Sequence, residues 1–260
     1  MVGGSRWRET PNREGNELYG RQQVQFGPPQ TPDVIKGLLI ANIGVYLLQV
    51  QFPGFPSMAL SVVPAWFWGG GFLWQPFTYM WLHGGTMHLL FNMLALWMFG
   101  SQIASYWGTK RFLRFYLICG VGAGLIIASW PALLVLFGFT ASAYAIPTLG
   151  ASGAVYGVLL AYSLTWPDRT IMLLFPPIPI KAIYFIPLLF VMGLMGPSNV
   201  SHVGHLGGVL VGFILLRRMG VGPRLGLEQL RYRWRRHKMR RNLRAVRNEE
   251  SRRNDERTYH

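Results

Sequence analysis

Between Asp33 and Glu228 the chain holds a single carboxylate, Asp168; the remaining acidic residues (Glu9, Glu14, Glu17, Glu249, Glu250, Asp255 and Glu256) sit in the two tails. Only 13% of the chain is charged, where a soluble domain carries about twice that fraction. A charge near the centre of a bilayer costs several kcal/mol, so a membrane protein keeps such a stretch clear while few soluble folds do. The scarcity excludes an ordinary soluble fold, and it also excludes a paired-carboxylate intramembrane protease. Cysteine is nearly absent as well. Cys119 is the only one and lies in an apolar stretch, which rules out a disulfide framework and a Cys-based metal site. No HExxH occurs, and histidines without carboxylate or thiolate partners make a poor zinc site, so neither metal nor cofactor is expected. The first 34 residues lack an apolar core, and no cleavable signal peptide is expected.

What is abundant is apolar sequence, 51% of the chain with a mean hydropathy of +0.25. Six runs are long enough to cross about 30 Å of hydrocarbon. They lie near 35–52, 86–106, 112–133, 149–166, 181–196 and 201–219, and the second is expected to open with Thr86 as its N-cap after Gly84-Gly85. The fold class expected is an all-α membrane protein. The net charge of +15 is confined to tails and short loops without any recognition or stacking module, which argues against nucleic acid. Five Lys or Arg precede the first run, counting Lys36; three follow the second, two follow the fourth and fifteen begin at Arg217. The connections near 53–85, 134–148 and 197–200 hold none. Positive loops stay on the cytoplasmic side, so both termini are expected there.

The first outer connection is distinctive. Residues 54–85 contain nine aromatics and no Asp, Glu, Lys or Arg, the composition of a loop lying partly embedded in the outer interface. Simple anchoring is the plainer alternative.

Polar residues converge at the outer ends of three runs. The second opens with His88-Leu-Leu-Phe-Asn92, whose spacing of four puts both polar groups on one helix face. The fourth carries Ser152 in GASGAVYG, and the sixth carries His202 and His205 in SHVGHLGG. All three runs point the same way, so these groups share one depth. Gly153 and Gly157 on one run, and Gly204, Gly208 and Gly212 on the other, have the i, i+4 spacing that lets helix backbones approach closely. A serine hydroxyl becomes a nucleophile when a neutral histidine takes its proton. With no carboxylate on that side, a Ser–His dyad remains rather than a triad. Tyr156, one turn past Ser152, is placed to pack on the imidazole, and His88 and Asn92 are placed to donate to a developing oxyanion. The structural alternative has the glycines merely packing helices and Ser152 bonding back to its own backbone. His202, three residues before His205, competes with it as the base.

Taken in this order, HLLFN, GASGAVYG and HLGG resemble the rhomboid intramembrane proteases, over roughly residues 35–219. The resemblance implies a six-helix bundle with an embedded first outer loop, Ser152 as nucleophile and His205 rather than His202 as base. It further implies His88 and Asn92 as oxyanion stabilisers, Gly150 as part of the GxSG motif, Tyr156 packed on the base and His83 as a supporting loop histidine. The implied substrates are transmembrane segments of other proteins with small residues at the cut. The implied setting is a bacterial inner membrane. Residues 1–34 then form a polar cytoplasmic segment, 35–219 the protease domain and 220–260 a basic tail. Within the tail, 231–247 has nine Lys or Arg interleaved with Trp234, Leu243 and Val246, a pattern suited to anionic lipid. Two positions depart from the family pattern: Gln75 follows Trp74 where many members have Arg, and Ala104 stands where many have Glu. Rival readings are a catalytically inactive relative that binds membrane clients, and a small transporter or channel. The intact Ser152 and His205 oppose the first; the absence of an internal repeat opposes the second.

Overall fold

The computed structural model describes residue 28, residues 30–138, 142–173, 177–194, 202–221 and residue 239. The expectations for the polar N-terminal segment up to residue 27 and for a surface helix at 231–247 lie outside the described residues, as do the end of the fifth run and Ser201.

Among the described residues six principal helices run in chain order: α1 (Asp33–Gln51), α2 (Thr86–Trp107), α3 (Thr109–Leu136), α4 (Ser152–Thr165), α5 (Phe185–Leu194) and α6 (His202–Arg218). Three of them, α1, α2 and α3, are long and apolar enough to cross a membrane. At 14 residues, α4 spans only about 21 Å. It has no need to reach lipid by itself, because ten of its residues are buried among the other helices, the fate of a helix that is apolar all round. The structure is mostly helical, as expected, with one small antiparallel pair, β1 (Thr170–Met172) with β2 (Pro179–Lys181), interrupting the helical pattern. The pair pushes the start of α5 back to Phe185, behind the turn Ala182–Tyr184.

Local chemistry explains the boundaries. Gly108 adopts φ +81°, a conformation L side chains rarely take, and this lets α2 and α3 meet across one residue. Leu96–Gly100 inside α2 is a π-helical turn. In α3, Pro131 supplies no N–H for the carbonyl one turn earlier. The expected cap at Thr86 does not form. Gly85 occupies the cap position, and the Thr86 hydroxyl pairs with that of Tyr46 at 3.0 Å.

Glycine contacts give the helix directions. A methyl group placed on Gly153 would meet Ala123 on α3 and the Gly204 carbonyl on α6; one placed on Gly157 would meet Cys119 and the Gly208 carbonyl. Advancing four residues along α4 therefore retreats four on α3 and advances four on α6. Helices α4 and α6 run parallel, with α3 antiparallel to both. By contrast α1 is peripheral: it buries Ile35, Leu38 and Asn42 and leaves Ile40, Leu47 and Val50 exposed.

The aromatic connection before α2 is folded rather than simply anchored. It forms three short α-helical segments, Ser57–Leu60, Pro64–Gly69 and Gln75–Thr78, and a 3-10 turn, Tyr79–Trp81, and buries Val62, Val63, Phe67, Tyr79, Met80 and Leu82. Trp66, Trp68, Trp74 and Phe77 remain exposed. Val62 and Thr148 exchange two backbone hydrogen bonds of 2.9 Å, tying this connection to the one before α4. Gln75, at the position where many relatives have Arg, is fully buried. Its Oε1 accepts the Val63 N–H at 3.0 Å and its Nε2 donates to the Ala59 carbonyl at 3.4 Å. Ala104, at the other departure, packs in the apolar core.

Candidate active site

Ser152 is the first residue of α4, where the leading N–H groups of a helix have no intrahelical acceptor. The chain reaches it through Gly150, held at φ +128° with its N–H donating to the Tyr79 carbonyl at 2.9 Å. Tyr79 in turn donates its hydroxyl to the Gly120 carbonyl at 2.7 Å, so the turn is tied to α3. Gly150 is required twice over. Its φ disfavours any side chain, and a methyl group there would fall 2.8 Å from His88 Nε2. The same point lies 3.8 Å from Ser152 Oγ. His88 and Ser152 therefore border one small space above Gly150.

The orientation of His88 follows from its other nitrogen. Nδ1 accepts the Gly84 N–H at 3.3 Å, which leaves the ring proton on Nε2, the nitrogen facing that space. His83 packs its ring against His88 with centroids 5.2 Å apart. It is buried, and both its ring nitrogens lack partners among the described residues. Burial, with His88 alongside, pulls His83 down to about 4. Its backbone N–H is held by Gln49 Oε1 at 3.0 Å. Asn92 is buried one turn beyond His88 and donates one amide hydrogen to the His88 carbonyl at 2.9 Å, leaving the second for another acceptor.

His205 stands on α6 with its ring stacked on Tyr156, at a centroid distance of 4.1 Å and an angle of 11°. Tyr156 is one turn past Ser152 on α4, so the stack sets the imidazole over the helix that carries the hydroxyl. Among the described residues no direct hydrogen bond joins Ser152 to His205; such contacts are often longer before substrate binds. His202 meets His205 edge-on, its ring centroid 6.5 Å away and its Nδ1 buried without a partner among the described residues. No three His, Cys, Asp or Glu side chains cluster to hold a metal ion among the described residues.

Motif reading missed Gln49 and the Tyr79 carbonyl, and it marked Gln75 only as a departure from the family pattern. Gln49 and Gln75 had one usable signal, an amide side chain inside otherwise apolar sequence. The Tyr79 carbonyl had none.

The family model for the Rhomboid domain matches residues 70–220, more than half of the chain, including His88, Asn92, Ser152, Tyr156 and His205. The chain belongs to the rhomboid family. Rhomboid protease GluP of Bacillus subtilis (strain 168) is 36% identical over 155 residues, covering 59% of this chain and 27% of GluP. The mitochondrial RHOMBOID-like protein 12 of Arabidopsis thaliana is 30% identical over 199 residues, 73% of this chain and 59% of that protein. Rhomboid protease AarA of Providencia stuartii is 27% identical over 204 residues, covering 68% of this rhomboid and 69% of its relative. This rhomboid thus spans about a quarter of GluP and under two thirds of the Arabidopsis protein. Its helices and its family make it a membrane protein.

Proposed function

We propose that this rhomboid is an intramembrane serine endopeptidase that cuts transmembrane segments of other proteins through a Ser152–His205 dyad. The observation that carries the reading is the Tyr156–His205 stack beside Ser152, with His88 Nε2 facing the same space from the opposite side. Ser152 Oγ attacks the scissile carbonyl carbon as a ring nitrogen of His205 takes its proton. The oxyanion meets the His88 Nε2–H, the second Asn92 amide hydrogen and the backbone N–H groups opening α4. Collapse breaks the C–N bond, and His205 returns the proton to the leaving amine. Water then attacks the acyl ester, giving its proton to His205, which passes it to the departing Ser152 Oγ.

In this reading α1 to α6 form a six-span bundle, α4 spanning the bilayer only inside its neighbours, and the connection at 54–85 is embedded in the outer leaflet. Residues 35–219 are the protease domain, between a polar segment and a lipid-binding basic tail. Every described Lys and Arg lies at the end of the bundle away from Ser152, which supports cytoplasmic termini. Bacterial relatives support an inner-membrane location, although the family also has mitochondrial and chloroplastic members.

The test uses the purified full chain and a fluorophosphonate probe. Wild type is labelled and Ser152→Ala is not. Ser152→Ala and His205→Ala each abolish cleavage while remaining inserted, and the double variant is no worse than either single one. Cleavage retained by Ser152→Ala overturns the mechanism.

A further inference from the structure

At the basic end of the bundle, far from Ser152, lies a cleft of about 300 Å³ between the end of α2 and the loop after α4. Its walls include Ser101, Gln102, Ser105, Tyr106, Trp166 and Arg169, with Pro28 and Gln30 beside them. We propose that this cleft binds a phosphate group carried by an anionic lipid headgroup, with Arg169 as its principal contact.

Arg169 is set up for such a ligand. Its guanidinium lies over the Trp166 ring, 4.6 Å from the centroid, and Trp166 is packed against Tyr106 at 5.5 Å. One terminal nitrogen donates to Gln102 Oε1 at 2.6 Å. Gln102 is itself fixed, its Nε2 donating back to the Met98 carbonyl at 3.0 Å. An aromatic face and one neutral hydrogen bond thus orient the fork and leave its remaining donors unused by them, the geometry that suits bidentate phosphate recognition.

Arg169 has no carboxylate partner among the described residues. Among the described residues the ion pairs are Lys36–Asp33 and Lys181–Asp168, so the neighbouring carboxylate is taken by Lys181. Ser101 and Ser105, one helical turn apart on α2, add hydroxyls to the same wall. The Ser101 hydroxyl is fully buried and has no hydrogen-bond partner among the described residues. A positively charged, hydroxyl-lined cleft at the membrane-surface end of a bundle is complementary to a phosphodiester and offers nothing to a cation. The proposal needs no catalytic step, so it stands or falls apart from the dyad.

Native mass spectrometry of the full chain in neutral detergent provides the test, with phosphatidylglycerol, phosphatidylcholine and inorganic phosphate as probes. Phosphatidylglycerol is expected to bind with one tight site. Arg169→Gln should weaken that site about tenfold, the loss of one charge-assisted hydrogen bond. Arg111→Gln, which removes a cation from the same end of the bundle, should leave it unchanged. Ser105→Leu, at an exposed position where folding is not at risk, should block the site by filling its mouth. Competition by inorganic phosphate would identify a free anion as the natural occupant. Its failure to compete, with phosphatidylcholine bound more weakly than phosphatidylglycerol, would identify the headgroup. Equal weakening by Arg169→Gln and Arg111→Gln would mean diffuse charge attraction and overturn the proposal, as would a tight site that survives both Arg169→Gln and Ser105→Leu.

Discussion

Helices α1 and α6 of this rhomboid both carry glycines, and of the two only α6 uses them for contact. In α1, Gly37 and Gly44 face open space, with nothing within 4 Å of where a side chain would begin. In α6, a methyl group on Gly208 would run into the Gly153 carbonyl, whose carbon lies 2.7 Å away, and one on Gly212 would come within 3.2 Å of Gly157 Cα. The difference is the partner. Helix α4 offers its own glycines at matching intervals, so two backbones touch, and among the described residues α1 faces no such neighbour. In the pair α4 and α6, backbones come into contact where a glycine on one meets a glycine on its neighbour.

This contrast can be broken by experiment. Gly208→Val should have the largest effect, because backbone cannot move aside as a flexible side chain can. The variant should lose both its thermal unfolding transition and its proteolysis, and survival of either would mean that α4 and α6 are not locked. Asn92→Ala tests the groups held around the seam. Turnover should fall about 10²–10³-fold with the Michaelis constant little changed, since the donor meets charge present only in the transition state. A raised Michaelis constant at unchanged turnover would make Asn92 a substrate-binding residue instead.

Gln75→Leu should cost about 1–3 kcal/mol, because it leaves the buried Val63 N–H without its acceptor. Thermal unfolding in detergent measures this, and a shift no larger than that of an exposed control would assign the loop's stability elsewhere. The smallest effect belongs to α1. Gly37→Ala and Gly44→Ala should change stability by no more than about 1 kcal/mol and leave turnover alone. A large loss from either would reveal a partner for the exposed face of α1.

The site motifs were readable because they depend on side-chain identity at helical spacing. His88 with Asn92, Ser152 with Tyr156, and the glycine pairs all follow from four residues making about one turn. Hydropathy likewise located the helices. It failed where backbone atoms are the partners. Nothing in the letters reveals that the Tyr79 carbonyl holds Gly150, or that Val62 pairs with Thr148. The Thr86 cap was misjudged for a related reason: its hydroxyl found a side chain 40 residues away in place of its own helix. The β1–β2 pair is three residues per strand, too short for a period to emerge, and it lies almost wholly in the connection between the fourth and fifth apolar runs.

The bond from the Gly84 N–H to His88 Nδ1 has a consequence beyond placement. A neutral imidazole ordinarily exchanges its proton between two nitrogens. Here one nitrogen faces a donor, so a proton arriving on it would set donor against donor and press the turn away. The loop therefore acts as a memory for which end of the ring is acidic, written in a backbone amide and legible before any substrate arrives.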